Sequence, residues 1–283
     1  MKIISQRHGI SSTSLELFPS GSVFVFALGE KYVLKLFPPL SPEFCQTEHA
    51  VLSILQSHRA DLKTPRIHFT GDFEGWPYIV MSKLPGLPLQ NIWPELSQAQ
   101  RRDVVEQTAE LVRILHQVPT AHAHLPQSEF IEAQRGNCLN HHQHFELDPH
   151  WLKQIPEFLE SVTLHSSFDT PPVLLHTEIM RQHLLVDVTA SQPKITGLID
   201  FEPSMIGHFE YELASITLFV TGSDTHLFPI FLKNYKAELL KDAELKRRIL
   251  AYILLHRYSY LNWFLTLMPP VNNFQDCLDR WFS

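Results

Sequence analysis

The chain has few cysteines and no surplus of positive charge. Its 283 residues include only three cysteines, Cys45, Cys138 and Cys277, which lie far apart and form no CxxC pair. An odd number of separated cysteines argues against a disulfide framework and indicates a reducing compartment, so we expect a cytoplasmic protein. The net charge of −7 argues against a nucleic-acid partner, because proteins that bind the phosphate backbone usually carry basic patches.

Long hydrophobic runs are also lacking. No segment approaches the roughly 18 consecutive apolar residues of a membrane span. The first residues, MKIISQRHGISSTSLELF, have no long apolar core of the kind found in a secretory signal. With 44% hydrophobic and 19% charged residues, the composition is typical of a soluble protein with one large domain or two lobes. We therefore expect no membrane partner. For the oligomeric state we expect either a monomer or a homodimer.

The pattern of the chain changes near residue 82. Before it, strand-like runs surround one segment with helical spacing: strands at Val23–Leu28, Tyr32–Phe37, Arg66–Thr70 and Pro77–Ser82, and a helix at Pro42–Gln56. After the breaker cluster Leu84-Pro85-Gly86, helical patterns dominate: Ser97–Gln117 with Ser97 as N-cap, Gly207–Val220, Leu227–Leu240, Glu244–Leu267 and Phe274–Phe282. The interval Pro119–Pro149 is polar and gives no clear assignment. This order predicts an α+β protein with a small β-rich lobe at 1–82 and a larger helical lobe at 83–283.

Two residues of the first lobe are of the residue types that form a phosphate clamp in kinases. Lys35 interrupts the apolar strand YVLKLF, and Glu48 follows thirteen residues later in the helical segment. A strand lysine paired with a helix glutamate is the arrangement by which kinases hold the α- and β-phosphates of a nucleotide. Solvent-exposed positions for both side chains are the alternative interpretation. Gly21 and Ser22 lie in the first hairpin turn, where backbone N–H groups could approach phosphate, although no GxGxxG or Walker motif is present.

The segment Val173–Ala214 holds the densest cluster of reactive side chains. Two apolar runs enclose a polar loop with His176, Glu178 and His183, and a third run, Ile195–Ile199, ends at Asp200. Strands that end in clustered carboxylates and imidazoles are a common way for a rigid scaffold to present a reactive site.

Five segments, in this order, resemble the aminoglycoside phosphotransferases and the choline-kinase-like small-molecule kinases. They are YVLKLF with TEHAVLSIL, WPYIVMSKLPGLPL, LVRILHQVP, LLHTEIMRQHLLV and ITGLIDFEPSMIGHFEYELA. The resemblance covers nearly the whole chain and implies a bilobal protein-kinase-like fold. It also implies transfer of the γ-phosphate of ATP or GTP to a hydroxyl of a small molecule, such as an aminoglycoside or an amino alcohol.

The resemblance implies a role for each matching position. Glu178 stands where the family has its catalytic aspartate, and His176 would support that loop. His183 stands at a metal-binding asparagine and Asp200 at the metal-binding aspartate, so these two are the expected ligands of Mg²⁺. Lys35 and Glu48 take the phosphate-clamp positions. Ser82, Lys83 and Leu84 would lie along the adenine, and the acceptor site would include Pro119–Pro149 and the C-terminal helices.

Five positions depart from the family pattern. Thr177 replaces the usual glycine, Glu178 the catalytic aspartate and His183 the asparagine, while His208 and Glu212 replace two further aspartates. The extra methylene of Glu178 moves its carboxylate by about 1.5 Å, and placement errors near 1 Å can cost ~100-fold in rate. Mg²⁺ prefers oxygen ligands, so an imidazole at His183 suits Mn²⁺ better, or else His183 contacts phosphate and binds no metal.

Other interpretations remain open at this point. The departures are compatible with a degenerate kinase-fold protein that binds nucleotide without turnover. His176-x-Glu178 is also half of a non-haem iron facial triad, with His183, His208 or His256 as the third ligand, which would make the protein an oxygenase. The aromatic segment ILLHRYSYLNWFLTL is compatible with either a core helix or the wall of a substrate pocket.

Overall fold

The computed structural model describes residues 2–10, 14–18, 21–59, 61–120, 128–164 and 171–282. The chain divides into two compact units. The first consists of Met1–Leu89 and His183–Ser204, and the second of Gln90–Gln182 and Met205–Ser283. The predicted lobe boundary at residue 82 stays a prediction. Among the described residues, every helix is too short or too polar to cross a lipid bilayer.

The elements follow one another from a β-rich beginning to a helical remainder. Up to residue 92 they are α1 (Lys2–Arg7), β1 (Leu15–Leu17), β2 (Phe24–Leu28), β3 (Tyr32–Leu36), α2 (Pro42–His58), β4 (Ile67–Phe73), β5 (Trp76–Ser82), β6 (Leu87–Pro88) and α3 (Leu89–Ile92). The middle of the chain forms α4 (Gln98–Leu115), α5 (Ser128–His144), α6 (Pro149–Leu152) and α7 (Ile155–Glu160). After residue 171 come β7 (Val173–Leu175), β8 (Leu184–Asp187), β9 (Lys194–Leu198), β10 (Met205–Gly207), α8 (Glu210–Ser215), α9 (Leu227–Lys236), α10 (Leu245–Leu254), α11 (Leu261–Leu267) and α12 (Phe274–Arg280).

A five-stranded antiparallel sheet forms most of the first unit, in the order β1-β2-β3-β5-β4. The β2–β3 hairpin turns at Gly29, whose φ of +64° is a conformation that glycine adopts without steric cost. Its register places Lys35 opposite Val25 on one side and Ile79 on the other. Lys35 therefore lies on a central strand, flanked by two buried leucines, Leu34 and Leu36.

Helix α2 carries its glutamate on the buried face. Its buried residues are Glu48, Val51, Leu52 and Leu55, which follow the i, i+3, i+4, i+7 spacing of one helix face. The sequence pattern of an amphipathic helix thus puts Glu48 among apolar neighbours. The predicted alternative of a solvent-exposed glutamate is wrong, because Glu48 is fully buried.

A small three-stranded sheet, in the order β6-β8-β9, completes the first unit and positions two of the predicted site residues. His183 directly precedes β8, and Asp200 follows β9 by two residues. The backbone N–H of Ile199 donates to the carbonyl of His183 at 3.1 Å, which ties the two strand ends together.

In the second unit, helices pack around buried apolar side chains and a two-stranded ladder of β7 and β10. The predicted N-cap of α4 is confirmed: the Ser97 hydroxyl accepts from the backbone N–H of Gln100, and the Gln100 side chain accepts from that of Ser97. The predicted helix 207–220 begins later, at Glu210, because residues up to Gly207 pair with β7. A π-helical turn, Ile216–Thr221, continues it.

The predicted helix 244–267 is interrupted between Leu254 and Leu261. The Ser259 hydroxyl donates to the carbonyls of Ile253 and Leu254, and so satisfies groups that a longer helix would have bonded itself. Helix α5 lies in the interval that the sequence left unassigned. Its buried residues Ile131, Cys138 and His142 share one face, but only one of them is strongly apolar, which explains why the pattern gives no clear signal.

Candidate functional site

The centre of the candidate site in the first unit is the buried ammonium of Lys35. Its Nζ lies 2.7 Å from Oε2 of Glu48, 2.6 Å from Oδ1 of Asp200 and 3.6 Å from Oε2 of Glu202. Three carboxylates thus surround one cation. The structure brings together the predicted lysine and glutamate of the clamp and adds the predicted metal-binding aspartate to them.

The three carboxylates change the proton affinities within this cluster. Burial by itself lowers the pKa of Lys35, but attraction to Glu48, Asp200 and Glu202 outweighs burial and raises that pKa above its ordinary value. Burial raises the pKa of Glu48 to about 7 against the opposing effect of Lys35, and repulsion from the other two carboxylates acts in the same direction as burial. The two shifts thus have different main causes: attraction to three carboxylates for Lys35, and burial for Glu48.

Asp200 connects this cluster to His183. Nε2 of His183 lies 3.3 Å from Oδ2 of Asp200, the carboxylate oxygen that does not face Lys35. Asp200 has a left-handed backbone, with φ of +77°, a region in which aspartate is several-fold enriched. Its side chain remains 28% exposed, while the side chains of Lys35 and Glu48 are almost fully buried. Asp200 is therefore the carboxylate of this cluster most accessible to a ligand.

Glu202 also belongs to the cluster, although its sequence position does not distinguish a cation-attracting carboxylate from a solvated or capping one. Only 8% of the residue is exposed, and its Oε1 accepts a hydrogen bond from the hydroxyl of Ser22. Its Oε2 is buried and has no hydrogen-bond partner among the described residues. The spacing Asp200-x-Glu202 after an apolar strand is the signal in the sequence that could have suggested it.

The donor set of the cluster fits a hard divalent cation. One oxygen each from Glu48, Asp200 and Glu202 can be chosen so that all three lie within 4.8 Å of one another. Carboxylate oxygens are the ligands that Mg²⁺ prefers, and Oε2 of Glu202, whose contact with Lys35 is the longest of the three at 3.6 Å, is the oxygen most readily given to a metal. The imidazole of His183 is not part of this group, so metal ligation by His183 stays a prediction.

The remaining predicted nucleotide-site residues also lie in the first unit. Gly21 has φ of +139°, and Ser22 beside it is bonded to Glu202. At the end of β5, the Ser82 hydroxyl accepts from the backbone N–H of Arg66. The N–H of Lys83 donates to a neighbouring backbone carbonyl, and the side chain of Leu84 packs against the backbone of the small sheet. Their contact with adenine stays a prediction.

Glu178, the predicted general base, lies in the second unit and is paired with an arginine. Nη1 of Arg257 lies 3.4 Å from Oε1 of Glu178, which is only 5% exposed. The guanidinium of Arg257 also lies over the ring of Phe130. Arg257 was not predicted, because the two residues are 79 positions apart and the sequence contains no local signal that links them.

Thr177 occupies a backbone conformation that favours glycine. Its φ is +71°, where a β-branched residue is a genuine outlier. The carbonyl of Thr177 accepts from the Ser215 hydroxyl at 2.6 Å and lies 3.1 Å from Nε2 of His256. Nδ1 of His256 accepts the backbone N–H of Tyr258, which places the imidazole proton on Nε2, facing Thr177. These bonds hold the residue before Glu178 in its strained conformation.

His176 supports the loop. Its backbone N–H donates to Oε2 of the fully buried Glu212 at 2.7 Å, and its Nδ1 accepts the N–H of Glu178 at 3.3 Å. Nε2 of His116 lies 3.8 Å from the same Glu212 oxygen. Burial favours the neutral form of Glu212, but His116 and His176 outweigh it and hold the pKa of Glu212 below its ordinary value. Glu212 is thus a second buried carboxylate that fixes the loop.

The facial-triad interpretation has no geometric support. Within the described ranges, the group with suitable metal-ligand spacing is the carboxylate cluster of the first unit, and it contains neither His176 nor Glu178. The nitrogens of His256 are engaged with Tyr258 and Thr177, as described above. Part of the predicted acceptor insertion, residues 121–127, lies outside the described residues.

Comparison with known proteins gives one family and one fold. The model of the phosphotransferase enzyme family matches residues 14–250 of the chain. No curated protein matches the chain. Among solved structures, the GDP complex of aminoglycoside 2'-phosphotransferase-IIIa is similar with a TM-score of 0.74 and 17% identity, over 93% of this chain and 90% of that one.

Two further structures give the same result. The ternary complex of APH(2'')-IIa with streptomycin and ATP has a TM-score of 0.66 and 15% identity, over 91% of this chain and 90% of the other. APH(3'')-Id from Streptomyces rimosus has a TM-score of 0.66 and 17% identity, over 90% and 97%. At these identities the likeness is one of fold. The predicted protein-kinase-like α+β fold, with a β-sheet N-terminal part and a helical remainder, is confirmed.

Proposed function

The chain belongs to the phosphotransferase enzyme family, and we propose that it transfers the γ-phosphate of ATP or GTP to a hydroxyl group of a small molecule. The observation that carries the proposal is the buried ammonium of Lys35 within 2.7 Å of carboxylate oxygens of Glu48 and Asp200. On a central strand, an aliphatic side chain would pack better than a buried charge, so packing alone does not explain Lys35. Phosphoryl transfer, by contrast, depends on fixed positive charge at the phosphates.

The cluster also supports the binding of a metal with the nucleotide. Three carboxylates against one ammonium leave an excess of two negative charges if all are ionised, which a divalent cation would neutralise. Asp200 and Glu202 would hold the Mg²⁺, with Mn²⁺ as the alternative if His183 takes part. These residues would thereby supply, through the metal they hold, positive charge at the phosphates. The similar structures contain GDP in one case and ATP in another.

Lys35 has two roles in this proposal. Without nucleotide its ammonium pairs with Asp200. With nucleotide, Asp200 would turn to the metal, and Lys35 would keep Glu48 and contact the α- and β-phosphates instead. The 28% exposure of the Asp200 side chain, beside an almost fully buried Glu48, is consistent with the exchange occurring at Asp200.

Glu178 would orient or accept the proton of the acceptor hydroxyl. Arg257, 3.4 Å away, forms an ion pair with this carboxylate and fixes the position of the longer side chain. The strained backbone of Thr177 and the anchored His176 hold the same loop. The acceptor is a hydroxylated small molecule; kanamycin, streptomycin and gentamicin occupy similar structures.

Calorimetry with ATP and GTP, with and without Mg²⁺ or Mn²⁺, tests the nucleotide site. We expect metal-dependent binding that weakens in Asp200→Ala and is unchanged in Asp61→Ala, a matched variant of an exposed aspartate in the same unit. A preference for Mn²⁺ that disappears in His183→Asn would support ligation by the imidazole. Absence of nucleoside triphosphate binding with either metal would refute the proposal.

Turnover of Glu178 variants tests the transfer step. Glu178→Gln keeps the shape but cannot accept a proton, so activity should fall about 10²–10⁴-fold with nucleotide affinity unchanged. Glu178→Asp should also lose activity, because the shorter side chain withdraws from Arg257; a gain would indicate that the glutamate impairs the site. Glu110→Gln, an exposed glutamate of the second unit, is the control. Full activity of Glu178→Gln would refute the assignment, and nucleotide binding without turnover across many acceptors would favour the degenerate binder.

A further inference from the structure

The second unit contains an open groove with an aromatic lining. Its volume is about 500 Å³, within the range of small-molecule sites. Phe219, Tyr258, Tyr260 and Trp263 form its aromatic walls, and aliphatic and thioether side chains add to them. Trp263 is 47% exposed although its ring stacks beside that of Phe219, so a large apolar surface faces solvent without a partner. Such a surface is typical of a binding site.

The groove is joined to the loop of Glu178 on two sides. Met180, which lines it, follows Glu178 by two residues, and Arg181 and Gln182 continue the same wall. On the other side, Tyr258 directly follows Arg257, the residue that pairs with Glu178. The groove and the predicted general base therefore share two short, fixed segments of chain.

The groove has no charge that would attract a polycation. Among the described residues that line it there is no aspartate or glutamate, and the one charged residue is Arg181. The guanidinium of Arg181 lies 3.7 Å from the centre of the Trp93 ring and donates to the carbonyls of Val220 and Thr221. A molecule with several ammonium groups would meet the positive charge of Arg181 and no carboxylate among the lining residues, which disfavours its binding. Asp224, whose charge acts on Arg181, is already paired with Arg101 at 2.9 Å.

We propose that the acceptor is an uncharged alcohol with an aromatic or otherwise apolar body, held in this groove against Trp263 and Phe219. The inference rests on the proposed function and names its substrate class. In the reaction, the acceptor oxygen forms a bond to the γ-phosphorus as the bond to the β–γ bridging oxygen breaks. The hydroxyl proton passes to the Glu178 carboxylate and then to solvent, and the nucleoside diphosphate leaves.

The test measures binding and turnover separately. Calorimetry without nucleotide compares naphthylethanol and phenylbutanol with ethanolamine and kanamycin, and production of nucleoside diphosphate is then followed with the same compounds. The aryl alcohols should bind and be phosphorylated, with kcat/KM at least about tenfold above that for kanamycin. Trp263→Ala should weaken their binding at least about tenfold, because an aromatic anchor in a groove dominates its affinity. Leu240→Ala, at another exposed apolar side chain of this unit, should change nothing.

The possible failures are distinguishable. Binding or turnover of kanamycin above that of the aryl alcohols would overturn the inference, as would aryl-alcohol binding that Trp263→Ala leaves unchanged. Intact binding of Mg²⁺ and ATP with no aryl-alcohol phosphorylation would overturn the substrate class alone. Loss of nucleotide binding in the wild-type protein would instead refute the proposed function. Because Trp263 is half exposed, Trp263→Ala should keep the wild-type Tm, and Trp263→Phe should restore most of the affinity.

Discussion

Replacing Lys35 by methionine keeps a side chain of similar length but removes the ammonium that three carboxylates share. Glu48 is fully buried and Glu202 nearly so, while Asp200 is partly open to solvent. In Lys35→Met, buried negative charges face one another without the cation between them. The variant therefore separates a charge-compensating role of Lys35 from a merely space-filling one.

The magnitude follows from the burial of the partners. Removing one member of a buried ion pair typically costs about 3–5 kcal/mol, because the other charge stays buried without compensation. Glu48→Gln should cost much less, under about 1.5 kcal/mol. Lys35 keeps Asp200 at 2.6 Å in that variant, and the amide resembles the protonated carboxyl that burial already favours. In the double variant the two changes should not add, and we expect a coupling energy of about 1–3 kcal/mol.

Hydrogen exchange of the amides in β3 and β5 gives the opening free energy of the first unit in each variant. The measurements are made with chelator and without nucleotide, so that no divalent cation replaces the ammonium. Glu30→Gln, at a glutamate whose side chain is 94% exposed, is the matched control and should have no effect. Additive effects, or a larger loss in Glu48→Gln than in Lys35→Met, would refute the shared-cation description.

Three further predictions concern the fold. Gly86→Ala should destabilise the protein by about 2 kcal/mol or more in urea unfolding, since φ of Gly86 is +107° and a Cβ there would lie 2.9 Å from the carbonyl oxygen of Val186. The control is Gly136→Ala on open helix surface, which should be neutral or stabilising by up to ~1 kcal/mol. Burial lowers the pKa of His256 to about 4, so the unfolded chain binds this proton first. Stability should fall as pH drops from about 6.5 to 4, by at most ~1.4 kcal/mol per pH unit from this group, and less steeply in His256→Asn. Arg248→Met should cost about 3–5 kcal/mol in urea unfolding, because buried Glu210 loses its bidentate ion pair; an unchanged midpoint would contradict this.

The parts of the site that the sequence predicts are those encoded locally. Glu48 lies on the buried face because three apolar residues of α2 share its spacing. Lys35 lies on a central strand because β3 pairs with β2 on one side and with β5 on the other. Asp200 lies where an apolar strand ends. The positions of Glu48 and Asp200 follow from fewer than about fifteen residues of chain, within which helix and strand periodicity determines direction. The central position of Lys35 also needs the pairing with Ile79, which is distant in sequence.

The parts that could not be predicted depend on contacts distant in sequence. Arg257 reaches Glu178 across 79 positions, and Ser22 reaches Glu202 across 180. Neither pair has a periodic signature, and a single charged side chain on a helical segment is usually solvated. The break after α10 has the same cause, because Ser259 ends the helix through its own hydrogen bonds, which a pattern of apolar residues does not record.

Three of the departures from the family pattern, Thr177, Glu178 and His183, each have partners in the structure. The strained backbone of Thr177 is held by Ser215 and His256, Glu178 is paired with Arg257, and His183 lies beside Asp200. Buried polar groups in folded proteins are almost always hydrogen-bonded, and the altered residues follow this rule. Here the longer carboxylate has an arginine within reach, and the residue at the glycine position has two donors on its carbonyl. These contacts fix the altered residues in place, and turnover of the Glu178 variants separates a working transferase from a degenerate binder.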